Sequence, residues 1–287
     1  MEMRLGEFTI DLNQRPFIMG ILNVTPDSFY DSGAHAGTET ALRHARQMVA
    51  DGADIIDVGG ESTRPGSDPV SAGDEIERIR PVVERLLEDS RVPISIDTRK
   101  ADVARAMLRL GAHLINDVSG LKYDPAMAGI VAENGVPVVI MHMRGTPETM
   151  QTHTDYDDVV DDVKRELAGQ VAAAEAAGIA PGNIIIDPGI GFAKTAEQSL
   201  ELIARLDELS DLGKPILLGP SRKSFIGKTL GLEPQDRLEA TLTSCIVGVR
   251  KGARILRVHD VKAVSRAVRM HEAFTPYERP EERKVQN

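Results

Sequence analysis

The sequence predicts a single α/β domain, a closed (β/α)8 barrel of the TIM type with a short N-terminal β-hairpin. Three observations lead there. Eight short apolar runs recur along the chain. Continuous apolar runs of this length suit strands buried on both faces, as in parallel sheets. Amphipathic stretches, also eight, alternate with them. Finally, 287 residues with 41% hydrophobic residues can fill one large core. The competing open doubly wound sheet is weakened because no G-x-G-x-x-G follows the first long run.

In chain order, residues 1–16, which include EFTIDLNQRP, form a predicted hairpin that closes the barrel floor. The barrel spans 17–274. Its predicted strands are FIMGILNV (17–24), ADIIDVG (53–59), VPISID (92–97), HLIND (113–117), VPVVIMH (136–142), NIIID (183–187), KPILLG (214–219) and ARILRVH (253–259). The first helical stretch, TETALRHARQMVADG, sets Ala41, Leu42, Ala45, Met48 and Val49 on one face and ends at Gly52, a capping type. The others are 71–90, 100–111, 124–135, 155–178, 195–213, 234–252 and 260–274. Pro81, inside the second, is expected to kink or restart it. Residues 275–287, TPYERPEERKVQN, read as a frayed polar tail.

Composition excludes several classes. There is no apolar run of about 18 residues to span a membrane, and no signal peptide at the N-terminus. One cysteine, Cys245, forms no internal disulfide and reads as a core residue; a cytoplasmic location is expected. A net charge of −10 argues against nucleic acid as a partner.

Barrels of this kind carry their chemistry at the C-terminal ends of the strands. Those ends hold Asn23; Asp57 with Gly59 and Gly60; Asp97; Asn116 and Asp117; Met141 and His142; Asp187; Gly219, followed by Ser221–Ser224; and Arg257 and His259. Plain structural roles compete. Asp260 reads as a helix cap, and Asp117 as either a cap or a site residue. Thr98 can cap the following helix, which leaves Asp97 spare. His142 reads as a satisfied core histidine. The case rests on the joint pattern, because so many caps need not share one rim.

Asp97, Asn116 and Asp187 suit a flat, nitrogen-rich heterocycle, since a carboxylate accepts two parallel N–H bonds. Ser221, Arg222, Lys223, Arg257 and His259 occupy the loops after strands seven and eight, where barrels commonly bind phosphate. Asn23, a hard oxygen donor, suits a Mg2+ bridging a diphosphate. Zinc-type spacing is absent.

The motifs MGILNVTPDSF, GADIIDVGGESTRPG, SIDT, INDVSG, IIDPGIGFAKT, GPSRKSFIG and RVHDV occur in this order. Together they resemble the bacterial-type dihydropteroate synthases, from about Met19 to Ala273. The resemblance implies a TIM barrel that joins 6-hydroxymethyl-7,8-dihydropterin diphosphate to 4-aminobenzoate, releasing diphosphate and giving 7,8-dihydropteroate for folate biosynthesis. Sulfonamides would compete for the aminobenzoate position. It further implies that Asp97, Asn116, Asp187 and Lys223 hold the pterin, with Met141 lining the pocket. Asn23 (through Mg2+), Thr63, Arg257 and His259 would hold the diphosphate. Phe29, Thr63, Pro65, Phe192, Ser221 and Lys223 would form the aminobenzoate site, and Asp31 would stabilise the pterin cation. The groups implied in catalysis are Asp31, Lys223, Arg257 and His259. Thr63, Pro65 and Phe192 rest on the resemblance alone. Pro26 and Gly33 bound a predicted lid, in which Asp27 has a turn-capping alternative.

A homodimer is also implied, with the helix holding TLTSCIVGV as a plausible contributor. The chain departs from the family at Tyr30 and Ser32, where SFYDSG replaces the common SFSDGG, and at Pro220, where many members have Thr or Ala. Two rivals are a methyltransferase acting on methyltetrahydrofolate and a non-catalytic paralogue. The first would not need SRKS together with RVHD, and the second would be expected to lose Asp27, Asp31, Thr63, Arg64 and Lys223, all of which are present.

Overall fold

The computed structural model describes residues 2–25, 34–62 and 69–277. Strands β1 (Glu2–Leu5) and β2 (Phe8–Asp11) form an antiparallel hairpin. Eight parallel strands follow: β3 (Phe17–Asn23), β4 (Ile55–Gly59), β5 (Ile94–Asp97), β6 (Leu114–Asp117), β7 (Val138–Met141), β8 (Ile184–Asp187), β9 (Ile216–Leu218) and β10 (Ala253–Val258). Each pairs with the next, and β10 pairs back onto β3, so the sheet closes into a barrel. All eight apolar runs are strands, slightly trimmed at their ends.

The helices among the described residues are α1 (Ala34–Ala50), α2 (Ala72–Asp89), α3 (Ala101–Leu110), α4 (Met127–Asn134), α5 (Val159–Ala176), α6 (Ala196–Ala204), α7 (Ser224–Leu230), α8 (Leu238–Arg250) and α9 (Val261–Phe274). None of them is long and apolar enough to cross a membrane. The helix is not restarted at Pro81: α2 runs through it, with Pro81 on the exposed side. The stretch 195–213 divides into α6 and a 3-10 turn, Leu206–Leu212. Helix α7 was not anticipated, because seven residues show too little periodicity. Asp260 is not a side-chain cap for α9; its carboxylate pairs with Arg222 instead.

Side chains alternate across a strand, and the two faces separate cleanly. Outward residues such as Ile18, Ile56, Ile96, Ile140 and Leu218 pack into the helical shell. The inward residues Met19, Ile55, Leu114, Val139, Ile185, Leu217 and Ile255 form one cluster with Met3, Leu5, Ile10 and Leu12. The hairpin therefore plugs the barrel floor with apolar side chains. Cys245 is fully buried, and burial pushes its thiol up to about 12.

Candidate active site

Two residues beyond each inward apolar position, a side chain faces the same way one layer higher. From Ile55, Leu114, Val139, Ile185 and Ile255 this step reaches Asp57, Asn116, Met141, Asp187 and Arg257. Strand β5 adds Asp97. A mostly polar layer thus rests on an apolar one, at the C-terminal mouth.

Arg257 organises this layer. Its Nε donates to Asp57 Oδ2 at 2.6 Å and its Nη2 to Asp97 Oδ2 at 2.5 Å. Strand β3 separates β10 from β4, so these bonds reach across the barrel interior. Asn116 Nδ2 donates to the same Asp57 oxygen at 3.0 Å. Asp57 Oδ1 is buried and accepts no hydrogen bond. Burial drives the Asp97 carboxyl up, against the pull of Arg257. Burial likewise raises Asp187, opposed by Lys223. An Asp187 oxygen accepts from the Gly189 amide at 2.7 Å.

The loop after β9 supplies the next groups. Ser221 Oγ accepts from the His259 amide at 3.2 Å and lies 3.0 Å from His259 Nδ1. With that amide already donating, the hydroxyl can give its proton to Nδ1, which puts the ring proton on Nε2. Arg222, in the left-handed region at φ 56, is bound by both oxygens of Asp260 at 2.7 and 2.6 Å. Arg237 Nη1 donates to the Arg222 carbonyl at 3.0 Å. The Lys223 amide donates to the Pro220 carbonyl at 3.3 Å, so Pro220 serves as the start of this turn. These ties aim Lys223 inward. Its Nζ donates to the Ile190 carbonyl at 2.5 Å and lies 4.5 Å from the centre of the Phe192 ring. Burial pushes the ammonium down to about 8, against the attraction of Asp187. Met141 and partly buried Phe192 share an apolar wall with Val118, Met143 and Ala193.

Asp117 and His142 both take structural roles, although Asp117 caps no helix, since α4 starts only at Met127 with Ala126 at its N-cap. Asp117 binds the amides of Ser119 and Leu121 and the Ser119 hydroxyl, so it shapes a turn. His142 is fully buried between Glu166 (Nε2 to Oε2, 3.0 Å) and Lys194 (Nζ to Nδ1, 3.0 Å). Burial, reinforced by Lys194, pushes it down to about 4, so it stays neutral.

The sequence profile described as "Pterin binding enzyme" matches residues 19–259. Over 271 residues the chain is 46% identical to the dihydropteroate synthase of Synechocystis sp., covering 94% of each chain. This chain belongs to the dihydropteroate synthase family of pterin-binding enzymes. Among solved structures of the family, that of Clostridium difficile dihydropteroate synthase in the presence of pteroic acid is similar at a TM-score of 0.87 and 46% identity, covering 92% of this chain and 98% of that one. The Yersinia pestis dihydropteroate synthase with a sulfonamide drug is similar at 0.90 and 43%, covering 96% and 100%.

Of the residues the family resemblance implied, Asp97, Asn116, Asp187, Arg257 and Met141 gather in one layer, and Phe192, Ser221, Lys223 and His259 come from the segments that follow the strands. Asn23 ends β3, opposite Gly59 of β4. Asp27, Phe29, Tyr30, Asp31, Ser32, Thr63, Arg64 and Pro65 lie outside the described residues. Sequence reasoning missed a role for Asp57, although a charge within the otherwise apolar IIDVG was a usable signal. It also missed Lys194 and Glu166, which meet at His142, a residue distant from both in sequence.

Proposed function

We propose that this family member condenses 6-hydroxymethyl-7,8-dihydropterin diphosphate with 4-aminobenzoate, giving 7,8-dihydropteroate and diphosphate. The observation that carries the reading is the buried set Asp57, Asp97, Asn116 and Asp187, joined by partly buried Lys223 and Arg257, at one barrel mouth. Buried carboxylates and an amide offer acceptors and donors matched to an aminopterin edge, and few small molecules present so many ring nitrogens. The named ligands of the relatives, pteroic acid and a sulfonamide, support the same chemistry.

In this reading Asp97, Asn116 and Asp187 hold the pterin ring, and Met141 packs against it. Arg257, His259 and Asn23 bind the diphosphate, together with Thr63. Phe29, Thr63, Pro65, Phe192, Ser221 and Lys223 receive the aminobenzoate. The C–O bond to diphosphate breaks first, and the cation on the exocyclic methylene delocalises into the electron-rich dihydropterin. Asp31 stabilises that cation. The neutral aromatic amine then attacks and loses its proton afterwards, so no strong base is required. Arg257 is already fixed by two carboxylates, so it meets the growing negative charge without reorganising; a key donor of this kind contributes about 3–4 kcal/mol.

Mg2+ fits the donor set. Among the described residues no three His, Cys, Asp or Glu side chains could hold a metal. Magnesium commonly takes one or two protein oxygens, with substrate phosphate and water completing its shell. Asn23 would be the protein ligand, and the ion would neutralise the leaving group when bound. The proposal also includes a cytoplasmic homodimer, with α8, which exposes Val247, contributing to the interface.

The test is diphosphate release measured with and without 4-aminobenzoate. Arg257→Ala should lower kcat/KM by about two orders of magnitude or more. Turnover within about twofold of wild type would remove the diphosphate assignment. Binding of the pterin diphosphate with no turnover at all would favour the non-catalytic paralogue.

A further inference from the structure

The segment 188–195 joins Asp187 to α6 and contains neither helix nor strand. Four consecutive carbonyl oxygens within it each accept from a side chain. Ile190 accepts from Lys223 Nζ at 2.5 Å, Gly191 from Gln151 Nε2 at 3.2 Å, Phe192 from Lys194 Nζ at 2.9 Å, and Ala193 from Tyr156 Oη at 3.0 Å. The backbone is also strained. Ala193 sits at φ 52, a left-handed conformation that costs a residue with a Cβ about 1–2 kcal/mol.

Only the first of these donors belongs to the site described above. Lys194 begins a closed circuit behind it. Its Nζ also reaches His142 Nδ1 at 3.0 Å, and His142 Nε2 reaches Glu166 at 3.0 Å. Arg144 Nε donates to Glu166 at 3.0 Å. The Arg144 guanidinium lies 3.9 Å from the centre of the Tyr156 ring, and Tyr156 returns to the carbonyl next to Lys194. The reaction proposed above uses none of these five side chains.

We infer that Lys194 is a positioning residue for the aromatic amine substrate: anchored on buried His142 and holding the Phe192 carbonyl, it fixes the Phe192 ring beside Lys223. This rests on the reading that Phe192 and Lys223 receive 4-aminobenzoate. Lys194 is 2% exposed and its two acceptors are set by the fold, so the segment has little freedom to drift. A strained segment held at four successive carbonyls is pre-organised before any substrate arrives.

The experiment measures the 4-aminobenzoate KM at saturating pterin diphosphate, and separately the Kd of pterin diphosphate alone. Lys194→Met should raise the aminobenzoate KM about tenfold, while the pterin diphosphate Kd stays within about twofold. Tyr156→Phe removes one hydroxyl and keeps the ring, and should raise the same KM about threefold; it decides the matter if Lys194→Met does not fold. An unchanged aminobenzoate KM in folded variants overturns the inference. So does an equal loss for both substrates, which marks general damage. Phe192→Ala separates the two ideas: if it leaves the aminobenzoate KM unchanged, the aminobenzoate-site reading fails and this inference fails with it.

Discussion

Asp57 ties together two of the residues that the resemblance implied. It is fully buried, holds Arg257 and Asn116 through one oxygen, and accepts no hydrogen bond through the other. Removing one partner of a buried ion pair strands the other, at a cost of about 3–5 kcal/mol. Asp57→Ala leaves Arg257 on Asp97 alone, so it should lower unfolding free energy by less than that and weaken catalysis as well, because Arg257 loses one of its two anchors; chemical denaturation and steady-state kinetics check the two effects. If Lys223 receives the aminobenzoate as proposed, it should set an upper pH limit. With its ammonium held down to about 8, kcat/KM should fall as pH rises through about 8, which a pH–rate profile reads directly. His142 and Glu166 make the fold sensitive to acid. His142 is held at about 4 against an ordinary 6.5, and Glu166 at about 2 against 4.5 because it accepts from His142. Both depressed values mean that the unfolded chain takes protons first. Their contribution to stability is complete above about 6.5 and is lost as pH falls towards 4 and then 2. His142→Gln should flatten the slope of stability with pH between about 6.5 and 4; an unchanged slope in pH-dependent urea melts would reject this.

At the level of elements, the site depends on loops tied by residues distant in sequence. The β9–α7 loop is held by Asp260 and Arg237, and the β8–α6 segment by Lys223, Gln151, Lys194 and Tyr156. The latter segment starts at a close approach between two chains of backbone. A Cβ built on Gly189, at φ +69, would lie 2.0 Å from the His142 carbonyl oxygen. At Gly213, also left-handed at φ +64, a Cβ would meet nothing within 4 Å. Gly213→Ala therefore measures only the conformational cost, about 1–2 kcal/mol. Gly189→Ala adds a backbone collision and should lower Tm clearly further; equal Tm losses by calorimetry would contradict the collision. The strands were legible because two-sided burial leaves continuous apolar runs. Helix α7 was not, because seven residues complete only two turns. The role of Asp260 was misread because a carboxylate before a helix has the same appearance in sequence whether it caps or pairs with Arg222.

For the whole molecule, layering along the barrel axis separates stability from chemistry. Met3, Leu5, Ile10 and Leu12 seal the floor, and the polar layer stands above the inward apolar ring. Leu5 is fully buried, so Leu5→Ala should cost about 2–5 kcal/mol while leaving both substrate constants within about twofold. A changed aminobenzoate KM in that variant would show that the floor and the mouth are coupled. By itself the sequence determined the eight-fold alternation, the hairpin, and the rim membership of Asp97, Asn116, Asp187, Lys223, Arg257 and His259. Periodicity records which face of an element is buried, and strand ends are local. Only the tertiary structure decided which rim groups bind one another: Arg257 to Asp57 and Asp97, Ser221 to His259, and Lys194 to His142 and the Phe192 carbonyl. Such pairings join residues up to 200 positions apart, and barrel closure brings them together. No local pattern in the chain encodes that distance.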